Sequence, residues 1–212
     1  MGENIKTGLV MATYMEAKPF VYGIDWNRSA ESPFPAYFAE NLCLTISGMG
    51  KANAAAACAW MCTAVGPQCI VNLGAAGANL EGFSLGSLYR ITQVFETDRL
   101  HFKTGEPFSH RPDTSGLLPG ASLATRESPV MDPEDRRQTA YVAELSDMEG
   151  AAVVQAAARF ATPCYVFKFV SDSPGHDTGD LIAANIRSFR DAVFAAALES
   201  VPPLSGIKIH NS

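Results

Sequence analysis

Apolar and polar positions fall in blocks along the chain, and the period changes from block to block. TGLVMA at 7–12 is a short continuous apolar run of β-branched and aliphatic residues. Such a run reads as a strand covered on both faces. TYMEAKPFVYGI follows as a turn that opens a helix. YFAENLCLTI at 37–46 reads as strand and ends in the glycine turn SGMGK. ANAAAACAWMCTAV has helical character and is closed by Gly66 and Pro67. CIVNLGAAGA is a second buried strand that ends in small residues, and SLYRITQVFE is a third. Residues 103–139 are rich in Pro, Gly, Ser and charge and predict loops and short strands. A helix rich in small residues is predicted from Glu149 to about Ala161, with Pro163 ending it. CYVFKFVSD is an apolar strand with a polar tip. DLIAANIRSFRDAVFAAALESV is an amphipathic last helix, stopped by Pro202 and Pro203, and a mobile tail is expected after 203.

Strands alternating with helices predict one α/β domain with a doubly wound or barrel-like sheet. Composition agrees: 212 residues, 47% apolar and 18% charged, can bury a sizeable core. A net charge of −6 argues against a dedicated nucleic-acid or anionic-membrane surface. No apolar run is long enough to span a bilayer, and the first residues predict no signal peptide. Cys43, Cys58, Cys62, Cys69 and Cys164 are odd in number and read as buried thiols in a reducing, cytoplasmic setting.

Candidate chemistry gathers at the strand ends, where open α/β sheets carry their sites. SGMGKA fits neither a phosphate loop nor a dinucleotide fingerprint, because Thr45, Ala52 and Asn53 stand where those patterns need other residues. It reads as a helix-opening turn or as backbone laid against a ligand. GFSLG at 82–86 matches a nucleophile elbow, but strand rather than helix follows Ser84, so a plain turn is expected. The histidines available to a triad are sparse: His101, His110, His176 and His210. SDSPGHDTGD, with Asp172, His176, Asp177 and Asp180, lacks diagnostic metal-ligand spacing and reads as a solvated acidic loop. No metal and no organic cofactor is implied.

Glu16, Glu149 and Asp172 each have an ordinary reading as a helix glutamate, a first-turn acid or a cap. Jointly they describe a pocket of separated acids with little basic charge. Such a pocket suits cleavage through an oxocarbenium-like transition state. One carboxylic acid protonates the leaving group and one carboxylate activates water.

ATYMEA (12–17), SGMGKANAA (47–55), VNLGAAGA (71–78), SDMEGAA (146–152) and FVSD (169–172) resemble, in order and spacing, the nucleoside phosphorylase superfamily. The nearest resemblance is to its hydrolytic branch of 5′-methylthioadenosine/S-adenosylhomocysteine nucleosidases and futalosine hydrolases. It covers about residues 7–200. It implies a three-layer α/β/α sandwich with a mixed, partly barrel-like central sheet, one catalytic domain over 1–203 and a tail over 204–212. The implied substrate is a small-molecule purine nucleoside, and the implied assembly is a homodimer.

By the resemblance, Glu16 activates the attacking water and Asp172 delivers a proton to N7 of the leaving base. Ser171 orients Asp172. Glu149 binds the ribose hydroxyls and Met148 packs on the sugar. Ala12, Ala75 and Gly77 are small pocket residues, and Val130 and Met131 frame the base. Asp147 is left between helix capping and a base contact. The places where phosphorylases hold phosphate read Asn72 and Ala75, and a usual arginine reads Lys168. The common Gly-Asp step reads Gly86-Ser87. Water is therefore favoured as nucleophile, with phosphorolysis and a catalytically idle nucleoside-binding protein as alternatives. Methylthio, homocysteinyl and futalosine-type 5′ groups all stay open.

Overall fold

The computed structural model describes residues 6–31, 33–175 and 178–209. Five strands close into a ring: β5 (Cys69–Ala78), β6 (Leu88–Leu100), β8 (Gly120–Thr125), β9 (Leu145–Asp147) and β10 (Cys164–Asp172). Around the ring β10 pairs β6 antiparallel, β6 pairs β8 and β8 pairs β9 parallel, β9 pairs β5 antiparallel, and β5 pairs β10 parallel. From β5 the sheet runs outward through β1 (Thr7–Met11) and β4 (Leu42–Ile46) in parallel. β3 (Ala36–Phe38) and β2 (Arg28–Ala30) complete that wing antiparallel. β7 (Pro107–His110) folds back on β6. The expected mixed, partly barrel-like α/β sheet is the architecture found.

Helices cover both faces. α2 (Lys51–Trp60) and α4 (Gly150–Arg159) pack on one side, and α1 (Tyr14–Gly23) and α5 (Gly179–Ser200) on the other. Each side has its own apolar core, one around Val10, Ile70, Ile91 and Val166, the other around Leu9, Phe20, Val71 and Phe167. Alternate residues of β1 and β5 thus feed opposite cores, as the period of a strand requires. α4 can lie close to the barrel because Gly150 has no side chain: a Cβ there would stand 2.6 Å from Leu123 Cδ2.

Four sequence expectations change. The run 37–46 is two antiparallel strands, not one, because Glu40 and Asn41 supply a polar turn inside it. Residues 103–139 hold a helix, α3 (Pro133–Ala140), capped by Asp132, whose side chain accepts from Glu134 N and Asp135 N. Its sequence PEDRRQTA is too polar to show an apolar stripe. Leu145–Asp147, for which no element is predicted, form strand β9. The segment after 203 is attached: Leu204 is fully buried and Ile209 bridges Ile24.

Candidate active site

Every strand end flagged in the sequence opens on one cavity of about 310 Å³, within the size range of small-molecule sites. Ala12, Glu16, Ala75, Gly77, Val130, Met131, Asp147, Met148, Glu149, Ser171 and Asp172 all line it. So do residues to which the sequence assigns no role: Thr13, Met15, Met49, Ala76, Pro129 and Ser146, and one face of α5 through Gly179, Ile182, Ala183 and Ile186. The helical spacing of those α5 residues was legible, but spacing alone does not say which face meets a ligand.

Glu16 is buried for a local reason. Thr13 caps α1 and forms a capping box: its hydroxyl accepts from Glu16 N, while Thr13 N donates to Glu16 Oε2 at 3.0 Å. The Thr13 hydroxyl also lies 2.6 Å from Oε2. Glu16 Oε1 accepts from Ala75 N at 2.7 Å. Two carboxylate oxygens offer roughly four lone-pair positions. Oε1 therefore keeps one for a guest at the β5 end. Gly74 permits this approach, since a Cβ there would stand 3.0 Å from Oε1.

Glu149 sits at the start of α4. Its Oε1 accepts from Gly50 N at 2.8 Å, which ties the glycine turn to the helix mouth. Gly50 has φ +94°, a conformation that favours glycine. Burial, then the neighbouring charge of Asp147, pushes the Glu149 carboxyl up to about 7, against the opposing pull of Lys168 and the Gly50 N–H.

Asp147 lines the cavity and is also tied into the scaffold. Its Oδ1 accepts from Thr125 Oγ1 at 2.5 Å and its Oδ2 from Gly150 N at 2.7 Å, which caps α4. Oδ2 also pairs with Lys168 Nζ at 2.8 Å, and both side chains are inaccessible. Burial pulls the Lys168 ammonium down, but Asp147, Glu149 and Glu16 outweigh it and hold the group above its ordinary range. Lys168 is thus the counter-ion of three acids, fixed in the wall behind them.

Asp172 ends β10. Its Oδ1 accepts from Ser171 Oγ at 2.6 Å, and Ser171 Oγ is also 3.3 Å from Ala76 O. Its Oδ2 accepts from Arg136 Nη2 at 2.7 Å. The sequence reading expected little basic charge near the acids. Arg136 corrects that expectation; α3, with the sequence PEDRRQTA, carries no apolar periodicity that would point an arginine inward. Among the described residues no Lys, Arg or His lines the cavity itself.

Asn72, one of the two positions compared with phosphate-holding residues, is buried and donates to Val10 O away from the cavity. Ser84 lies in a turn between β5 and β6, as expected. No disulfide joins the described cysteines; Cys62 and Cys69 are half-buried and the other three buried. His176 and Asp177 of the acidic loop, and His210, lie outside the described residues. No described helix is long and apolar enough to cross a membrane.

Residues 34–123 match the phosphorylase superfamily. The chain carries the phosphorylase-superfamily fold. Solved structures align over nearly its whole length. The 5′-methylthioadenosine/S-adenosylhomocysteine nucleosidase of Helicobacter pylori covers 94% of this chain and 99% of its own, at TM-score 0.79 and 18% identity. Futalosine hydrolase of Helicobacter pylori covers 92% and 98%, at TM-score 0.79 and 17% identity. The MTA/SAH nucleosidase of Streptococcus pneumoniae covers 92% and 97%, at TM-score 0.79 and 21% identity. A comparison with curated proteins gave no match. Glu16, Glu149 and Asp172 all fall outside the segment matched to the superfamily.

Proposed function

We propose that the chain is a purine-nucleoside N-ribosyl hydrolase acting through Glu16, Glu149 and Asp172. The observation that carries this reading is their convergence on one largely apolar cavity that no described cation lines. Water held by the spare lone pair of Glu16 Oε1 attacks the anomeric carbon and gives a proton to that carboxylate. The bond to N9 breaks, and its electron pair passes into the purine. Asp172 supplies the proton that N7 takes up, which turns a poor leaving group into a neutral base. The Ser171 hydroxyl, within reach of both Asp172 Oδ1 and Ala76 O, adjusts as Asp172 changes charge. Glu149 accepts from the ribose hydroxyls and supports the positive charge that grows on the sugar. Met148 packs on the ribose, while Val130 and Met131 frame the base.

Hydrolysis is favoured over phosphorolysis by two features. Glu16 already occupies the Ala75 N–H, a donor that a phosphate oxygen would use. A phosphate dianion would also meet four acidic side chains, and no described arginine lines the cavity wall to clamp it.

The test is a panel of 5′-substituted purine nucleosides, with and without phosphate, read as free base and sugar product. Base release independent of phosphate supports the reading. Release that depends on phosphate and yields ribose 1-phosphate supports phosphorolysis. Tight nucleoside binding with no release supports the idle binding protein. The homodimer expected from the resemblance is checked by mass in solution.

A further inference from the structure

Arg136 is 2% exposed, and its guanidinium makes three hydrogen bonds. Nη1 donates to Ala78 O, and Nη2 donates to Val130 O and to Asp172 Oδ2, each at 2.7 Å. Arg136 and Thr139 are the buried residues of α3, an otherwise exposed polar helix. The turn is thus built to bring one charge inward. A buried charge is costly unless it is paired and hydrogen-bonded, and this one has both kinds of partner.

The approach is also prepared from the other side. A Cβ on Gly77 would stand 2.5 Å from Asp172 Oδ2 and 3.0 Å from Arg136 Nη1. The other ionisable groups facing this end of the cavity are Glu16, Asp147 and Glu149, with Lys168 bound to Asp147. Among the described residues, Arg136 is the cation bonded to Asp172. Arg136 does not line the cavity, so it acts through Asp172.

Resting on the proposed nucleosidase reading, we infer that Arg136 is a positioning residue for base release. It fixes the Asp172 carboxyl edge toward the purine and holds the carboxylate that remains once the proton has passed to N7. In that step the O–H bond of an Asp172 that has first taken a proton from solvent breaks and the N7–H bond forms. The pair from the C1′–N9 bond enters the ring, and the new carboxylate stays bonded to Arg136 and Ser171. The contribution therefore belongs to leaving groups that need a proton. It is absent for those that do not.

The experiment compares Arg136→Met and Arg136→Lys with the unaltered protein on two leaving groups. One is a purine nucleoside that the protein cleaves. The other is 4-nitrophenyl β-D-riboside, whose phenolate departs without protonation. Arg136→Met is expected to lower kcat on the purine nucleoside about 100-fold, the low end of what positioned proton transfer contributes, with KM little changed. The aryl riboside is expected to lose little, and Arg136→Lys to recover much of the purine rate. Thermal melting checks that each variant is folded.

A double-mutant cycle with Asp172→Asn on purine nucleosides alone reads the same quantity, because Arg136→Met should cost nothing further once Asp172 cannot donate. Equal losses on both leaving groups, or additive losses in the cycle, would overturn the inference and leave Arg136 a structural residue. Failure of the unaltered protein to release base from any purine nucleoside would instead overturn the underlying reading.

Discussion

Replacing Glu149 by Gln should make the protein more stable at alkaline pH. Glu149 stands with Asp147 and Glu16 around the single ammonium of Lys168, and its carboxyl is pushed from 4.5 up to about 7. A folded-state pKa above the unfolded one means that the folded protein binds the extra proton. Stability is then full below about 4.5 and falls as pH rises from there to about 7. A rise from 4.5 to about 7, at about 1.4 kcal/mol per pH unit, puts the cost of the charged form at the order of 3 kcal/mol above neutral pH. Gln has the shape of the protonated form and can still accept from Gly50 N, so it removes most of that cost. For a chain of this length each kcal/mol moves Tm by roughly 2–4 °C. The assay is thermal melting of both proteins at pH 5 and pH 8. The variant should melt higher at pH 8, by up to roughly 10 °C, and near the unaltered protein at pH 5. A variant that melts no higher at pH 8, or whose advantage is the same at both pH values, would refute the reasoning.

Two further outcomes follow from the same wall of the cavity. Lys168→Met should destabilise by roughly 3–5 kcal/mol near neutral pH, since it strands buried Asp147 beside Glu149 and Glu16 without their counter-ion; chemical denaturation measures it, and a loss below 1 kcal/mol would show that Lys168 does not balance these acids. Gly77→Ala should lower kcat at least about tenfold, because its Cβ would stand 2.5 Å from Asp172 Oδ2 and must displace that carboxylate; steady-state kinetics on a folded variant reads it, and an unchanged kcat would mean that the position of Asp172 does not matter.

Much of the architecture was legible because the buried strands announce themselves. TGLVM and CIVNLGAAGA are nearly continuous apolar runs, as suits strands covered on both faces. The small residues at their ends were also legible as a place where something approaches the backbone. The residues expected at the site line one cavity, while the partners that hold them were hidden. Lys168 reads in sequence as one polar interruption of an apolar strand, and only the fold shows that it faces Asp147 across the barrel. Arg136 was invisible for a different reason: α3 carries no apolar stripe, so neither helix nor inward arginine leaves a periodic signal.

The turn inside 37–46 was missed because two short strands and a two-residue polar break imitate one longer strand. The opening acids of SDMEGAA separate only in three dimensions. Asp147 caps a helix and neutralises a lysine, and Glu149 turns toward the cavity. Sequence spacing alone gives both the same weight.

The central claim is that Glu16 activates water in this cavity. It is tested most directly by a rapid-mixing experiment in phosphate-free buffer, with enzyme in excess over a purine nucleoside that the unaltered protein cleaves. Glu16→Gln should bind the nucleoside with little change in Kd and release base at least about 100-fold more slowly. Base release by Glu16→Gln at the unaltered rate would contradict the account.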